Sequence, residues 1–302
     1  MQAKQKCAIG IDVGGTSIKA GLISERGEVL YWADECPCEG DNVEGFVGLI
    51  AELVAPLMEE AERKGFSVAA IGVGLPGLIE GGVIIGAIPN LPALEGADIQ
   101  KLLGEKLGCD VAVHNDAFLM SFAEHEQGAG KNVANVVFLT IGTGIGSSIK
   151  LGNEFFFGAR GRGAEVGHMV FYPQAENTML EEYASTNALV EKYEELSGKK
   201  ADGKEIVKQY QEDNSHARAA MEFHFCHLGA AIGSLANLLN PQRFVLGGGI
   251  TQAGEFYMES LIQYVKKYAV PISLEKTDIV SAQFGNQGGA IGAALFALSK
   301  KS

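Results

Sequence analysis

Three glycine-rich turns carry the chemistry that can be read first. Asp12-Val13-Gly14-Gly15-Thr16-Ser17-Ile18-Lys19 gathers a carboxylate, two glycines, hydroxyls and an ammonium in one short stretch. Glycine lacks Cβ and admits φ > 0, so successive backbone N–H groups can converge on one anionic oxygen. Thr16 adds a donor and Lys19 a countercharge. Asp12 suits a magnesium ion held through water, because Mg²⁺ keeps much of its hydration shell. A second turn, Gly142-Thr143-Gly144-Ile145-Gly146, repeats the theme, and a third clump stands at Gly247, Gly248 and Gly249. One such turn alone would be an ordinary hairpin. Three of them, each following a strand-like run, favour binding of a nucleotide's phosphates. The pattern is neither a Walker loop nor a dinucleotide fingerprint opening a helix.

The elements that must position these turns follow from periodicity. Apolar runs predict strands at 7–12, 18–24, 29–35, 68–73, 111–113, 135–141, 243–246 and 278–282. Three- and four-residue spacing of Phe46, Val47, Ile50, Leu53, Val54, Leu57 and Met58 predicts a helix over 43–64, kinked or split at Pro56. Helices are also expected at 99–107, from 117, over 216–239 and from 288 to the end. Strands alternating with helices give an α/β fold with mostly parallel sheets. The two first turns also echo each other: Ser17-Ile18-Lys19-x-Gly21 follows one and Ser148-Ile149-Lys150-x-Gly152 the other. Each is a strand, a glycine turn and a returning strand, which implies two duplicated lobes.

Composition narrows the function classes. The chain has 302 residues, 47% of them hydrophobic and 20% charged, as in a globular protein. Its net charge of −13 opposes phosphate backbones, so nucleic acid is an unfavoured partner. No apolar stretch reaches the length of a membrane span. A polar start leading into the first strand leaves no signal peptide to expect. Five scattered cysteines fit reduced thiols and a cytoplasmic setting. The 40 glycines against 8 prolines have no collagen period, so they require local explanations.

Five motifs in order give the sequence a family resemblance. Asp12 to Lys19, Asn115-Asp116-Ala117, Gly142 to Gly146, Glu165-Val166-Gly167-His168 and Leu246-Gly247-Gly248-Gly249-Ile250 together resemble the ROK family of sugar kinases and repressors. The resemblance covers essentially the whole chain. It implies a two-lobed actin-like ATPase (ribonuclease H-like) fold, with duplicated lobes around a nucleotide cleft. The expected lobes are 1–117 with about 288–302, and 118–287. By resemblance Asp116 is the catalytic base, and Asn115, Glu165, His168 and Glu181 contact the sugar. Asn90 and Gly77 line the same side. Asp12, Gly14, Gly15, Thr16, Lys19, Gly142, Thr143, Gly144, Gly247, Gly248 and Gly249 would hold ATP, with Mg²⁺ on Asp12 through water.

The expected activity is ATP-dependent transfer of the γ-phosphoryl group to the 6-hydroxyl of a hexose, glucose or an N-acetylhexosamine such as N-acetylmannosamine. Polyphosphate is a further possible donor. A homodimer through the C-terminal lobe is implied, with no nucleic acid or membrane as partner. Two alternatives stand beside this one: a sugar-binding transcriptional regulator of the same family, and a non-catalytic sugar-binding protein. The regulator branch carries a helix-turn-helix ahead of the first glycine loop, and Asp12 comes too early for one here. The sequence also departs from the family. Where most members place a cysteine-rich zinc segment after the motif His, residues 169–180 contain no cysteine. Tetrahedral zinc needs four ligands, so no zinc is expected. Cys36-Pro37-Cys38 reads as a strand end, and His224, Cys226 and His227 as helix packing.

Overall fold

A continuous apolar run, Ala8 to Ile11, is what a strand buried on both faces requires. It lies within β1 (Gln5–Val13) of a computed structural model. The structure describes residues 4–301 apart from Thr16, 39–41, Ala87, Pro89, Asn90, Asn153, Arg160, Arg162 and Asn177. The expected roles of Thr16 and Asn90 therefore lie outside the described residues. The chain divides into two compact units, one of Met1–Lys131, Gly158–Arg162 and Asn286–Ser302, the other of Asn132–Phe157 and Gly163–Gly285.

In the first unit β1 turns back into β2 (Ser17–Ser24), followed by β3 (Val29–Trp32) and the two-residue β4 (Cys36–Pro37). Helix α1 (Val43–Arg63) then leads to β5 (Phe66–Leu75). Pro56 sits inside α1 and does not break it. It occupies the exposed face, where water can satisfy the carbonyl that loses its partner. A small hairpin, β6 (Leu78–Glu80) and β7 (Val83–Gly86), was not legible as strand. Helix α2 (Ile99–Leu107), strand β8 (Val111–Asn115) and helix α3 (Asp116–Glu126) complete this stretch. The sheet order is β3-β2-β1-β5-β8, with β4 beside β2. β2 is antiparallel to β1 and β3, whereas β1, β5 and β8 run parallel.

The second unit repeats this order. β9 (Val136–Ile141), β10 (Ile145–Leu151) and β11 (Glu154–Phe155) form the antiparallel part. Helices α4 (Glu181–Ala184), α5 (Thr186–Ser197), α6 (Gly203–Gln211) and α7 (Ser215–Leu239) precede β12 (Arg243–Gly247). Helices α8 (Glu255–Tyr268) and α9 (Pro271–Leu274) precede β13 (Asp278–Ser281). The order is β11-β10-β9-β12-β13, with β9, β12 and β13 parallel. The echo between the two glycine turns thus reflects two sheets of the same topology. Each unit has its own apolar core.

The last helix, α10 (Gly288–Ser299), belongs to the first unit and is buried from Gly288 to Ala297. It lies directly on strand backbone. A Cβ on Gly10 would stand 1.9 Å from the Ala290 carbonyl oxygen, and one on Gly72 1.8 Å from that of Ala293. A Cβ on Gly292 would likewise meet the Leu119 carbonyl oxygen at 1.7 Å, which keeps α3 with this unit. The division accordingly runs after α3, at Lys131, and not at Ala117. Among the described residues no helix is long and apolar enough to cross a membrane, and all five cysteines are free.

Candidate active site

Ligands of parallel α/β sheets bind beyond the carboxyl ends of the strands, and the first unit collects its carboxylates there. Asp12 stands at the end of β1, opposite Gly74 of β5, which in turn faces His114 of β8. Asp116 is the first residue of α3, one step beyond β8. Gly74 leaves the space between them bare: a Cβ there would lie 3.6 Å from both Asp12 Oδ1 and the Asp116 Cα.

Capping and chemistry are divided between two adjacent residues. Asn115 Oδ1 accepts from the Phe118 N–H at 3.0 Å and so caps α3. Its Nδ2 donates to the Gly77 carbonyl at 3.0 Å and to Asp116 Oδ1 at 3.1 Å. Asp116 Oδ1 also accepts from the Ala117 N–H at 2.7 Å. These bonds fix the carboxylate, yet burial raises its pKa from 3.8 to about 7, helped by the negative charge of Asp12. Burial likewise raises Asp12 to about 6, against the pull of Lys19, its cross-strand partner on β2.

Two residues near this pair had no role in the sequence reading. Gly289 opens α10 against Asp12: a Cβ on it would fall 2.5 Å from the Asp12 Cγ. Asp12 therefore sits against the first turn of a helix, where the dipole favours an anion. His114 Nδ1 accepts from the Asn115 N–H at 2.8 Å, and its ring packs on Phe118 and Phe296. Burial lowers its pKa to about 4, so it serves this turn as a neutral acceptor. Gly14 closes the first turn by donating to the Ser17 carbonyl at 2.9 Å, and Gly15 is exposed at its tip.

In the second unit both remaining glycine clumps stand at the carboxyl ends of two neighbouring parallel strands. Gly142 to Gly144 follow β9, with Thr143 exposed, and Gly247 pairs with Thr140 at the end of neighbouring β12. Gly142 donates to the Gly144 carbonyl at 3.0 Å. Gly248 has φ +101°, and a Cβ there would meet the Ile141 carbonyl oxygen at 2.0 Å, so only glycine fits.

Three of the polar residues expected around a sugar, Glu165, His168 and Glu181, come together in this unit, whereas Asn115 belongs to the first. His168 Nδ1 lies 3.4 Å from Glu165 Oε2, and its Nε2 lies 3.6 Å from Glu181 Oε1. All three side chains keep substantial exposure, 46% for Glu165, 52% for His168 and 29% for Glu181, so hydroxyl groups can reach them. Glu181 Oε2 also accepts from the Ile145 N–H at 3.1 Å.

The model of the ROK family matches residues 8–300 of the chain. The chain belongs to the ROK family. A glucokinase of Halalkalibacterium halodurans is 28% identical, over 94% of this chain and 92% of its own length. An N-acetyl-D-glucosamine kinase of Escherichia coli is 26% identical, over 96% of this chain and 99% of its own. Among solved structures, a ROK family glucokinase from Streptomyces griseus in complex with glucose and AMPPNP superposes with a TM-score of 0.84. It is 27% identical, covering 97% of this chain and 99% of that one. The actin-like ATPase fold implied by the resemblance is thus the fold of this ROK protein.

The ROK segment that departs from its family is held by packing. Across 169–180 the Val170–Met179 bridge is flanked by Phe171 N–H to Thr178 carbonyl at 2.6 Å and Leu180 N–H to Met169 carbonyl at 2.9 Å. Glu182 Oε2 accepts from the Thr178 and Met179 N–H groups at 2.8 and 2.7 Å. Tyr172, Tyr183 and His227 form an aromatic cluster with centroids 4.9 to 5.8 Å apart, and Tyr172 Oη lies 3.4 Å from His227 Nε2. His224 is buried with Nε2 2.8 Å from Tyr257 Oη, a packing role like that of its neighbour.

Proposed function

We propose that this protein is an ATP-dependent sugar kinase, transferring the γ-phosphoryl group to the 6-hydroxyl of a hexose such as glucose or an N-acetylhexosamine. The observation that carries the reading is Asp116, a carboxylate held by the Asn115 amide and its own helix start, with a pKa raised to about 7. A base of that pKa can take a proton from a hydroxyl at neutral pH, help worth about 10²–10⁴-fold. The sugar oxygen attacks the γ-phosphorus, the bond from that phosphorus to the bridging oxygen breaks, and ADP leaves while Asp116 holds the proton.

The remaining groups orient the reactants. Asn115, Glu165, His168 and Glu181 exchange hydrogen bonds with ring hydroxyls, and Asn90 and Gly77 are assigned to the same sugar by the family resemblance. Gly14, Gly15, Thr16, Lys19, Gly142, Thr143 and Gly144 cradle phosphates, with Gly247, Gly248 and Gly249 toward the nucleoside end. Asp12 fits Mg²⁺, which takes oxygen ligands and keeps waters, because a divalent cation offsets the burial that raises both carboxyl groups and the charge that Asp12 sets against Asp116. When bound, the ion supplies neutralisation of phosphate charge.

A homodimer in the cytoplasm completes the proposal. Leu238, Val270 and Ile272 are 76%, 53% and 73% exposed. They stand on segments joined by Val270 N–H to Asn237 Oδ1 at 2.8 Å and Asn240 Nδ2 to the Ser273 carbonyl at 2.9 Å. An apolar face of this kind suits a second copy of the chain. The regulator and simple sugar-binding alternatives need no carboxylate poised as a base. The deciding experiment measures ADP release from Mg–ATP with glucose, mannose, fructose, N-acetylmannosamine, N-acetylglucosamine and cellobiose, with polyphosphate as a second donor. Turnover that disappears in Asp116→Asn supports the kinase. Sugar binding without any turnover would overturn it.

A further inference from the structure

Glu181 touches two parts of the second unit that the proposed function treats separately. Its Oε1 faces the imidazole of His168 at 3.6 Å, on the sugar side. Its Oε2 accepts from the Ile145 N–H at 3.1 Å, and Ile145 closes the glycine turn that starts at Gly142. The other end of that turn is tied to the same stretch of chain, because the Thr186 N–H donates to the Gly142 carbonyl at 2.8 Å. Residues 181–186 therefore grip the turn from both ends.

The surrounding glycines make room for this grip. A Cβ on Gly144 would stand 2.5 Å from Glu181 Oε2, and one on Gly167 3.1 Å from the same oxygen. A side chain on Gly144 would displace the carboxylate from its place, and no positive φ demands glycine there. A turn that presents N–H groups to phosphate needs a fixed shape, since each misdirected donor weakens the charge-assisted bond it makes.

We propose that Glu181 is a positioning residue for the nucleotide: its carboxylate holds the Gly142–Ile145 turn in phosphate-binding shape, in addition to meeting the sugar. This rests on the kinase reading, in which that turn receives ATP. It predicts that a residue on the sugar side governs nucleotide affinity even when no sugar is present.

The test is the affinity of the sugar-free protein for a fluorescent N-methylanthraniloyl-ADP with Mg²⁺. Glu181→Ala removes the acceptor of the Ile145 N–H and is expected to weaken binding at least about fivefold. Glu181→Gln keeps an accepting oxygen and is expected to bind within about twofold of wild type, while its sugar KM rises because the charge facing His168 is gone. Gly144→Ala pushes a methyl group at Oε2 and is expected to weaken binding in the wild-type background, with little further effect in Glu181→Ala. Circular dichroism and melting curves establish that the variants fold. Equal affinities for wild type and Glu181→Ala would overturn the inference, as would Glu181→Gln failing like Glu181→Ala. Absence of nucleotide binding by the wild type itself would overturn the kinase reading, and this inference with it.

Discussion

Replacing Asp116 by Asn should make the protein worse at catalysis and more stable at alkaline pH. In the folded protein burial and Asp12 raise this carboxyl from 3.8 to about 7. At pH 8 the native state must therefore hold a charge that its surroundings disfavour. One pKa unit is worth about 1.4 kcal/mol, so the shift corresponds to at most about 4 kcal/mol. Solvent reaching this half-buried group lowers the figure, and a gain of at least about 1 kcal/mol is expected for the variant at pH 8. Asn keeps the acceptor used by the Ala117 N–H, so little else changes. The sign follows from proton uptake. Between pH 8 and pH 5 the native carboxyl takes up a proton while the unfolded one stays ionised, so wild type gains stability as the pH falls. That gain is lost as the pH rises through about 7, and the advantage of the variant should narrow by up to about 3 kcal/mol on going from pH 8 to pH 5. Urea unfolding of ligand-free protein at both pH values measures the gap. Parallel stability profiles for the two proteins, or a variant less stable than wild type at pH 8, would refute the assignment of a strained carboxylate. Turnover should fall about 10²–10⁴-fold in the same variant.

The same carboxyl pair governs the activity profile: kcat/KM, which reports the free enzyme, should fall as pH drops through about 7, where Asp116 takes up its proton. A flat profile between pH 6 and pH 8 would argue against Asp116 as base. Gly289→Ala places a methyl group 2.5 Å from the Asp12 Cγ, and is expected to weaken Mg–nucleotide binding measured by titration calorimetry. Gly10→Ala drives a Cβ into the Ala290 carbonyl at 1.9 Å and should cost about 3 kcal/mol or leave no folded protein, as urea unfolding or soluble yield would show. Removing metals with a chelator should leave the melting temperature of the ligand-free protein unchanged, whereas Tyr183→Ala should lower it, because packing holds residues 169–180.

The elements legible in the sequence were those with one dominant local signal. Apolar runs at 7–12 and 135–141 marked the two central strands, and the repeated Ser-Ile-Lys-x-Gly marked their hairpins. The hairpin of β6 and β7 was missed because its strands are short and meet at Gly81-Gly82, which reads as a plain turn. The apolar run ends the expected strand at 73, whereas β5 continues through Gly74 to Leu75 beside β8, a pairing that the run itself cannot show. On the site side, Asp116 is an expectation carried by the family resemblance, and the glycine turns one carried by their residue types and placement. The roles of Gly74, Gly289 and His114 depend on distant segments meeting, and no local spacing encodes that.

The glycines illustrate why composition alone could not separate these tasks. Gly248 has a backbone conformation and a close carbonyl that exclude any side chain. Gly10, Gly72 and Gly292 let one apolar helix lie on strand and helix backbone, which costs conformational entropy on folding but buries α10 against β1, β5 and α3. Gly289 and Gly144 do something different: each leaves room for a carboxylate, Asp12 in one unit and Glu181 in the other. In both places the carboxylate stands beside one of the glycine turns. The duplicated topology thus carries a related solution twice, with the parts exchanged: at the first turn Asp12 belongs to the turn and Gly289 comes from α10, and at the second Gly144 belongs to the turn and Glu181 comes from α4. Substituting Gly289 should thus impair the first turn from outside it and Gly144→Ala the second from within, whereas Gly10→Ala should act on stability before it acts on ligand affinity.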